Sequence, residues 1–269
     1  MRKAIFFDID GTLIDMQGGI YEPTKKVGDA LKKLQDAGHY IFIASGRPYA
    51  FIYSALKNFG FNGYVLSNGA TVLVGDKVIF KHTLDKKIVR EICDFAESEN
   101  IEYVLEGHPN TYIRKNFTAC EKFCNKIRVD LKNFVREFNL DETDVCKLEC
   151  LSDRDDLENL DKAYKKILAT EGMNGWADPF HYKSLEVYDK NISKATGILK
   201  ALEYLNIDVK NSYAFGDGMN DVEMLQTVGT GFAMGTGKED LKKVADYVVP
   251  SVHEDGVAFG VEKYILGGD

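Results

Sequence analysis

The sequence lacks a long apolar segment. No run of apolar residues approaches the roughly 20 residues that a membrane-spanning helix requires. The N-terminus, MRKAIFF, begins like a signal peptide, but Asp8 and Asp10 end its apolar stretch after a few residues. We therefore expect a soluble, cytoplasmic protein without a membrane partner.

An excess of positive charge is also missing. The formal net charge is -8 at pH 7, whereas domains that bind nucleic acid are usually basic. We expect no nucleic-acid partner. The same negative charge disfavours anionic substrates at long range, so a phosphorylated substrate would need local positive charge from a metal ion or a lysine.

Cysteine and histidine show no clear metal-ligand spacing. The chain has five cysteines and five histidines, and no two histidines have the spacing H-x-x-x-H. Two C-x-x-x-C pairs occur, Cys120/Cys124 and Cys146/Cys150, but the second lies in the alternating run DVCKLECL. An odd number of cysteines without a secretory signal favours free thiols, and the spacing disfavours a zinc site.

Both ends of the chain alternate short apolar runs with amphipathic helical stretches. Strands are predicted at residues 3–9, 40–45 and 63–70 and a helix at 24–37, and the alternation resumes from about residue 193. Apolar strands separated by helices indicate a parallel sheet that is covered on both faces.

The middle of the chain has a different pattern. Predicted helices at 84–98 and 154–169 are separated and followed by alternating segments, such as KSLEVYD, that are typical of a half-exposed antiparallel sheet. The predicted fold class is α/β. A doubly wound, mostly parallel, Rossmann-like sheet core is built from residues 1–82 and 188–269, and an α+β domain is inserted at 83–187.

Polar residues follow the predicted strands of the two end segments. Asp8 and Asp10 come after AIFF, Ser45 after YIFIA and Asp217 after SYAF, while Lys194 opens the helix that follows the insertion. In a doubly wound sheet the carboxyl ends of the strands form the ligand-binding edge. The predicted fold therefore brings residues that are distant in sequence to one edge.

Each of these residues has an ordinary structural alternative. Asp10 with Gly11 suits a turn, Ser45 suits a helix cap, the segment GDGMND at 216–221 suits a glycine-rich turn, and a lysine such as Lys194 is usually solvated. The grouping favours chemistry instead, because a divalent cation would neutralise the clustered carboxylates, and their hard oxygen atoms suit Mg2+.

The same grouping suits phosphoryl transfer. The cation, Lys194 and a hydroxyl group would hold a phosphate against Asp8. A carboxylate nucleophile can form an aspartyl-phosphate, and the second carboxylate, Asp10, can act as general acid and base.

The motifs DIDGT, ASGR and GDGMND, with the lysine after the insertion, resemble those of the haloacid dehalogenase-like superfamily of phosphohydrolases. The insertion between ASGR and Lys194 resembles the Cof-like branch, whose members carry an α/β cap domain there. The resemblance covers essentially the whole chain. It departs from the family pattern at Asn191 and Ala195, where members often have glycines beside two lysines.

This resemblance implies a Mg2+-dependent phosphatase for small phosphorylated metabolites, with sugar phosphates as the implied class. Asp8 would be the nucleophile and Asp10 the acid and base. Mg2+ would be held by the Asp8 carboxylate, the Asp10 main-chain carbonyl and Asp217, with Asp221 in support. A further set of residues would hold the phosphoryl group: Ser45, Gly46, Lys194 and Asn220, with Arg47 and Asn68 as weaker candidates.

Two other functions are compatible with the same motifs. One is phosphoryl transfer between sugar positions, as in related phosphomannomutases, and the other is phosphate binding by a catalytically silent regulator. The cap is expected to close over the substrate, and His108, His181 and Lys183 are candidate contacts from their turn or strand-end positions. The sequence does not indicate an oligomeric state.

Overall fold

The computed structural model describes residues 1–152, 158–178 and 183–267. The strands, in chain order, are β1 (Ala4–Phe7), β2 (Tyr40–Ala44), β3 (Gly63–Leu66), β4 (Thr71–Val74), β5 (Lys77–Lys81), β6 (Glu102–Glu106), β7 (Thr111–Tyr112), β8 (Phe134–Val135), β9 (Lys147–Leu151), β10 (Met173–Asp178), β11 (Ser184–Asp189), β12 (Ser212–Gly216), β13 (Thr230–Met234) and β14 (Tyr247–Val249). The α-helices are α1 (Lys25–Asp36), α2 (Ser54–Lys57), α3 (Lys86–Ser98), α4 (Thr118–Lys126), α5 (Glu158–Ala169), α6 (Lys194–Leu205), α7 (Val222–Thr227), α8 (Glu239–Val244) and α9 (Gly256–Gly260).

Within the described residues the chain forms two compact units. Unit 1 contains Met1–Gly46, Ser54–Phe80 and Ser193–Asp269, and unit 2 contains Arg47–Tyr53 and Lys81–Ile192. Unit 1 is therefore assembled from both ends of the chain, and most of unit 2 is one continuous stretch between them.

Unit 1 contains, in its described part, an eight-stranded sheet with the order β14-β13-β12-β1-β2-β3-β4-β5. The pairs from β14 to β3 are parallel, and β4 is antiparallel to β3. The chain runs outward from β1 on one side and outward from β12 on the other, so a topological switch point lies between these two strands. This topology confirms the predicted doubly wound, mostly parallel α/β core.

Both faces of β1 are covered by side chains. Phe6 belongs to a buried cluster with Ile198 of α6 and Met224 of α7. Phe7 points to the opposite face of the sheet, where its ring stacks on Phe215 with the centroids 5.2 Å apart. Burial on two faces explains why this strand is a continuous apolar run in the sequence.

Unit 2 contains a second sheet, whose described strands have the order β10-β11-β9-β6-β7-β8. Neighbouring strands from β10 to β7 are antiparallel, and β7 is parallel to β8. The helices α3, α4 and α5 pack against these strands. The unit has its own hydrophobic core, in which Leu148 and Cys150 of β9 are buried together with apolar residues of the helices.

The five cysteines are free and buried in unit 2. Burial raises the pKa of the thiols of Cys93 and Cys124 to about 12. Thiols of this kind stay protonated at neutral pH and behave as small apolar core residues.

Several elements differ in detail from the predicted pattern. The stretch 63–70, predicted as a strand that ends in a turn, forms β3 up to Leu66 and then the turn Ser67–Gly69. The hairpin of β4 and β5, which was not predicted, follows it with a turn at Gly75, where φ is +57°. The segment after Pro48 forms a 3-10 turn, Tyr49–Phe51, before the short helix α2. The first residues of the helix predicted at 154–169 lie outside the described residues.

In the part of the chain that the structure describes, no helix has both the length and the apolar character needed to cross a bilayer.

Candidate active site

The carboxyl ends of β1 and β12 carry the first two acidic residues of the site. Asp8 follows Phe7 directly, and its backbone N–H donates to the carbonyl oxygen of Phe215 at 3.0 Å. Asp217 follows Gly216, the last residue of β12. Because β1 and β12 are neighbours at the switch point, the residues that follow them lie side by side.

Gly11 allows the loop after β1 to approach Asp217. Its φ is +85°, and a Cβ atom at this position would lie 2.1 Å from Asp217 Oδ2. Any side chain is therefore excluded by backbone conformation and by lack of space. Asp10, immediately before Gly11, is exposed to solvent, whereas Asp8 is buried. The two aspartates of DIDGT thus occupy different environments.

Lys194 links two of the acidic side chains. Its Nζ donates to Asp8 Oδ1 and to Asp221 Oδ1, each at 2.6 Å. The side chains of Lys194 and Asp221 are both 0% exposed. A lysine is fully buried only when carboxylates pair with it, so the alternative of a solvated surface lysine is wrong.

The second oxygen of Asp221 shapes the loop after β12. Asp221 Oδ2 accepts the backbone N–H groups of Asp217 at 3.0 Å and Gly218 at 2.9 Å. A Cβ atom at Gly216 would lie 2.5 Å from the carboxyl carbon of Asp221, so glycine is required there as well. The segment GDGMND is therefore a turn that is built around a buried carboxylate.

The carboxylates of this cluster outnumber its one ammonium group, so its net charge is negative. Burial raises the pKa of Asp8 well above its usual range, although Lys194 opposes the rise. The neighbouring Asp221, Asp217 and Asp10 add to it. Burial also raises the pKa of Asp217 to about 7, with Asp221 contributing. Burial by itself lowers the pKa of Lys194, but its two carboxylate partners reverse this and raise it.

The three neighbouring carboxylates of the site suit a divalent cation. One oxygen from each of Asp8, Asp217 and Asp221 can be chosen so that all lie within 4.8 Å of one another. Asp217 Oδ1 is buried and has no hydrogen-bond partner in the described residues. A hard cation binds oxygen ligands, neutralises surplus negative charge and supplies a partner to an oxygen atom that has none. Both oxygens of Asp221 already accept hydrogen bonds, so the arrangement favours Asp217 as the direct ligand.

The loops after β2, β3 and β12 are joined by polar contacts. The backbone N–H of Ser45 donates to Val65 O at 2.8 Å, and the carbonyl oxygen of Ser45 accepts the N–H of Asn68 at 3.2 Å. Asn68 Oδ1 in turn accepts from the side-chain amide of Asn220 at 3.2 Å. A Cβ atom at Gly46 would lie 3.0 Å from this same oxygen. Asn68, a weaker candidate in the sequence, is therefore hydrogen-bonded to two of the phosphate-binding candidates, Ser45 and Asn220, and lies close to a third, Gly46.

The start of α6 fixes the position of Lys194. Ser193 caps the helix by accepting the N–H of Thr196, and Thr196 accepts the N–H of Ser193 in return. A Cβ atom at Gly69 would lie 2.0 Å from Ser193 O, and one at Gly197 would lie 2.9 Å from the Cα of Gly69. Sequence reasoning missed these two glycines. The signals in the sequence were Gly69, which ends the turn SNG after β3, and Gly197, which lies in the first turn of α6.

The remaining candidates lie in unit 2 or outside the described residues. Arg47 begins unit 2 and donates its guanidinium Nη1 to Phe51 O at 3.4 Å. His108 and Lys183 also belong to unit 2. His181 lies outside the described residues.

Comparison with known proteins identifies the chain. Residues 5–261 match the family model of haloacid dehalogenase-like hydrolases. The chain belongs to this family. The predicted membership of its Cof-like branch is confirmed, and the chain is a phosphoric monoester hydrolase. Enzymes of this family are generally metal-dependent, which agrees with the carboxylate cluster.

Named phosphatases are among the relatives of the chain. It is 32% identical over 263 residues to "Putative phosphatase YkrA" of Bacillus subtilis (strain 168), with 97% of each chain covered. It is 29% identical over 274 residues to 5-amino-6-(5-phospho-D-ribitylamino)uracil phosphatase YitU of the same organism, with 97% of this chain and 96% of the relative covered. The solved structure of BT4131, named as a subclass IIB sugar phosphatase, matches with a TM-score of 0.81 at 28% identity, covering 97% of this chain and 98% of that one.

Proposed function

We propose that this phosphatase depends on Mg2+ and hydrolyses sugar phosphates through an aspartyl-phosphate on Asp8. The observation that carries the proposal is the buried bridge from Lys194 to Asp8 and Asp221, with both distances 2.6 Å. It fixes a carboxylate at the ligand-binding end of the central strand and keeps positive charge beside it. A nucleophile for phosphoryl transfer needs both properties.

The first chemical step follows from the environments of the two aspartates. Asp8 is held by Lys194 through one oxygen and attacks phosphorus with the other, while the bond from phosphorus to the ester oxygen breaks. Asp10 is exposed and gives a proton to the leaving alcohol. An acid that supplies this proton lowers the barrier most for poor leaving groups.

The second step returns the enzyme to its starting state. Asp10, now ionised, takes a proton from water, and the water oxygen attacks phosphorus. The bond from phosphorus to Asp8 breaks, and inorganic phosphate leaves. The same carboxyl group therefore serves as acid in the first step and as base in the second.

The metal and phosphate positions are assigned, apart from the candidate Arg47, to residues of unit 1. Asp8, Asp217 and the Asp10 main-chain carbonyl would hold Mg2+, which when bound would neutralise charge on the phosphoryl oxygens, with Asp221 in support. Ser45, Gly46, Lys194 and Asn220 would bind those oxygens. Arg47 and Asn68 remain candidates for the same role.

The substrate class is supported by the names of two relatives. YitU is named for a substrate in which the phosphate is attached to a ribityl chain, and BT4131 is named a sugar phosphatase. Both names place several hydroxyl groups near a phosphate monoester. We extend that class to this chain and, because phosphorylated metabolites are intracellular, expect a cytoplasmic location.

A phosphate-release assay over a panel of phosphorylated metabolites tests this function. We expect release with Mg2+, loss of release in excess chelator, and recovery when Mg2+ is restored. Full activity in excess chelator would refute the metal requirement. Failure to release phosphate from any panel member with Mg2+ would refute the substrate class. Phosphate that moves to another position of the sugar, instead of to water, would support the mutase-like alternative.

A further inference from the structure

The loop between β1 and α1, residues 8–24, carries both aspartates of the proposed mechanism. Its first part is compact, because the carbonyl oxygen of Ile9 accepts the backbone N–H of Ile14 at 3.0 Å and Ile14 O accepts the N–H of Gly11 at 2.7 Å. Ile9 and Ile14 are both buried. Asp10 is exposed between Ile9 and Gly11, so its position depends on this short stretch of backbone.

A small hairpin follows directly on this compact stretch. The backbone N–H of Asp15 donates to Ile20 O at 2.9 Å, and the N–H of Ile20 donates to Asp15 O at 2.7 Å. The side chain of Asp15 contributes a further contact, since its Oδ1 accepts the backbone N–H of Gly18 at 2.9 Å. Asp15 is therefore the residue at which the hairpin and the backbone that carries Asp10 meet.

A histidine from a distant part of unit 1 holds Asp15. His253 Nε2 lies 2.9 Å from Asp15 Oδ2. A Cβ atom at Gly18 would lie 2.3 Å from Asp15 Oδ2 and 2.6 Å from His253 Cε1, so the backbone of the hairpin packs directly on this pair. The Gly18 N–H and, to a smaller extent, His253 lower the pKa of Asp15. Asp15 is therefore ionised at neutral pH and remains an acceptor for both partners.

The segment that carries His253 also holds the far end of the loop. His253 belongs to the 3-10 turn Val252–Glu254, and Asp255 follows this turn with φ +58°. Thr24, the N-cap of α1, donates its hydroxyl group to Asp255 Oδ1 at 2.5 Å. We refer to residues 251–255 as the anchor turn. It contacts the loop at two points, near the start of the hairpin and at the first turn of α1.

The anchor turn is itself fixed by local contacts. Glu254 Oε2 accepts the backbone N–H of Ser251 at 3.2 Å and its hydroxyl group at 2.7 Å. A Cβ atom at Gly256 would lie 1.8 Å from Pro250 O, and Val252 is buried. The turn lies between β14 and α9 in the chain. It therefore ties the loop to elements of the unit 1 core.

The pair of His253 and Asp15 matters more for position than for stability. The two side chains are 45% and 30% exposed, and ion pairs at this degree of exposure add little to the stability of a protein. The pair lies, however, at the residue that directly follows the compact stretch around Asp10. A small displacement of a proton donor lowers the rate of the step that it assists.

We propose that the anchor turn positions Asp10 for proton transfer, with Asp15 and His253 as positioning residues. The inference rests on the proposed role of Asp10 as general acid and base. The backbone that carries Asp10 is held by β1 on one side and by the pair of Asp15 and His253 on the other, and the contact with Thr24 holds the end of the same loop. Asp10 itself remains exposed and keeps its access to water.

Three substitutions in the pair and one control provide the test. His253→Ala and Asp15→Ala remove the pair from either side, whereas His253→Gln keeps a hydrogen-bond donor for Asp15. The matched control is Lys33→Ala, which breaks the 2.6 Å ion pair between Lys33 of α1 and Glu262. All these side chains are partly or largely exposed, so each variant should lower Tm by less than about 4 °C.

Two aryl esters of similar shape separate proton transfer from binding. Phenyl phosphate has a poor leaving group that needs a proton, whereas para-nitrophenyl phosphate has a good one that needs little. We expect His253→Ala and Asp15→Ala to lose about 10-fold in kcat/KM on phenyl phosphate and less than about 3-fold on para-nitrophenyl phosphate. His253→Gln should lose less than about 3-fold on phenyl phosphate. Lys33→Ala should change by less than about 2-fold on either ester.

Combination with Asp10→Asn shows whether the pair acts through Asp10. In the Asp10→Asn background, His253→Ala should lower kcat/KM on phenyl phosphate by less than about 2-fold further, because the effects of residues that act as a unit are not additive. A further loss of about 10-fold in that background would overturn the inference. Equal losses of His253→Ala on the two esters, or its full activity on phenyl phosphate, would overturn it as well.

The Asp10→Asn variant by itself tests the proposed function on the same two esters. If it loses equally on both, the proposed role of Asp10 and the inference that rests on it are refuted together. If it shows the dependence on the leaving group and the His253 and Asp15 variants do not, the anchor turn does not position Asp10 and only the inference is refuted.

Discussion

Asp8 and Asp10 differ in burial although only one residue separates them. Asp8 is buried and accepts a hydrogen bond from Lys194, whereas Asp10 is exposed. A buried carboxylate beside an ammonium suits a fixed nucleophile, and an exposed one can exchange protons with water. This difference is the physical basis for assigning the two residues to different reactions.

Substitution of the two aspartates should therefore give different products. Asp8→Asn should stop the reaction before a covalent species forms and lower kcat by about 10^4-fold or more. Asp10→Asn should lower kcat by about 10^2- to 10^4-fold, with the larger loss for poor leaving groups. With an activated aryl phosphate, Asp10→Asn should accumulate phosphate on Asp8, detectable as added mass after rapid quenching. Added mass in Asp8→Asn, or equal losses on good and poor leaving groups, would show that the roles are misassigned.

Substitution of Gly11 provides a second prediction about a single residue. Gly11→Ala should lower kcat/KM by at least about 100-fold, because the new Cβ displaces the Asp217 carboxylate. Gly19→Ala is the matched control, since Gly19 has φ +83° and a Cβ atom added there would meet nothing within 4 Å. Both variants should lose about 1–2 kcal/mol of stability from the left-handed backbone. If both retain activity equally, steric exclusion at Gly11 does not position Asp217.

Helix α6 shows how one element determines the position of a catalytic group. Lys194 is its first residue, and the glycines Gly69 and Gly197 allow the helix to pack closely on the turn after β3. The Ser193 cap satisfies backbone N–H groups at the helix start. Any shift of this helix end would move the Lys194 ammonium relative to Asp8.

Removal of the Ser193 cap should affect both stability and catalysis. Ser193→Ala should cost about 1 kcal/mol of stability and lower kcat/KM by about 10-fold through displacement of Lys194. Asp85→Ala is the control, because Asp85 caps α3 in unit 2 through the N–H groups of Lys87 and Ile88. Its stability loss should be similar, with acetyl phosphate hydrolysis unchanged. Equal activities of the two variants would refute a positioning role for the cap.

Elements with strong periodicity were predictable from the sequence, and elements stabilised by distant residues were not. The helix predicted at 24–37 is observed at Lys25–Asp36, because its apolar spacing and its end signals agree. Helix α4 was not predicted. Its first N–H groups, those of Thr118 and Cys120, donate to the Glu102 carboxylate of β6 at 2.8 and 2.9 Å, a contact that exists only in the folded unit.

The site was predictable to the extent that it follows strand ends. Asp8 and Asp217 were identified because they end apolar runs. The hydrogen bond between Asn68 and Asn220 was not predictable, since it joins loops that are 152 residues apart. The buried ion cluster around Lys147 was not identified, because strand register is needed to show that Lys147, Glu106 and Glu186 share a face.

At the scale of the whole molecule, a cluster of carboxylates lies where a cation is expected. Several carboxylates in unit 1 surround one lysine, and burial and mutual repulsion raise the pKa values of Asp8 and Asp217. A ligand that binds only the folded state stabilises it by mass action, by about 2.7 kcal/mol at 100 times its Kd. Metal binding should therefore be measurable as stability as well as activity.

Saturating Mg2+ should raise Tm by about 2–4 °C for each kcal/mol of binding free energy. The rise should be absent in Asp217→Asn, and the metal-free form of that variant should be no less stable than the metal-free wild type, because a buried charge has been removed. Potassium chloride at equal ionic strength provides the control for screening. An equal rise of Tm in Asp217→Asn and wild type would show that Mg2+ acts elsewhere.

The pairing of β1 with β12 also sets an order of events during synthesis. Phe7 is registered with Phe215, and Asp8 precedes Lys194 by 186 residues. At about 5–20 residues per second, roughly 10–40 s separate the emergence of these strands from the ribosome. Most of unit 2, Lys81–Ile192, is complete before β12 exists. The nascent chain therefore carries β1 with one edge unpaired, the edge opposite β2, while the inserted unit can already fold. Asp8 gains its lysine only after that unit has been made.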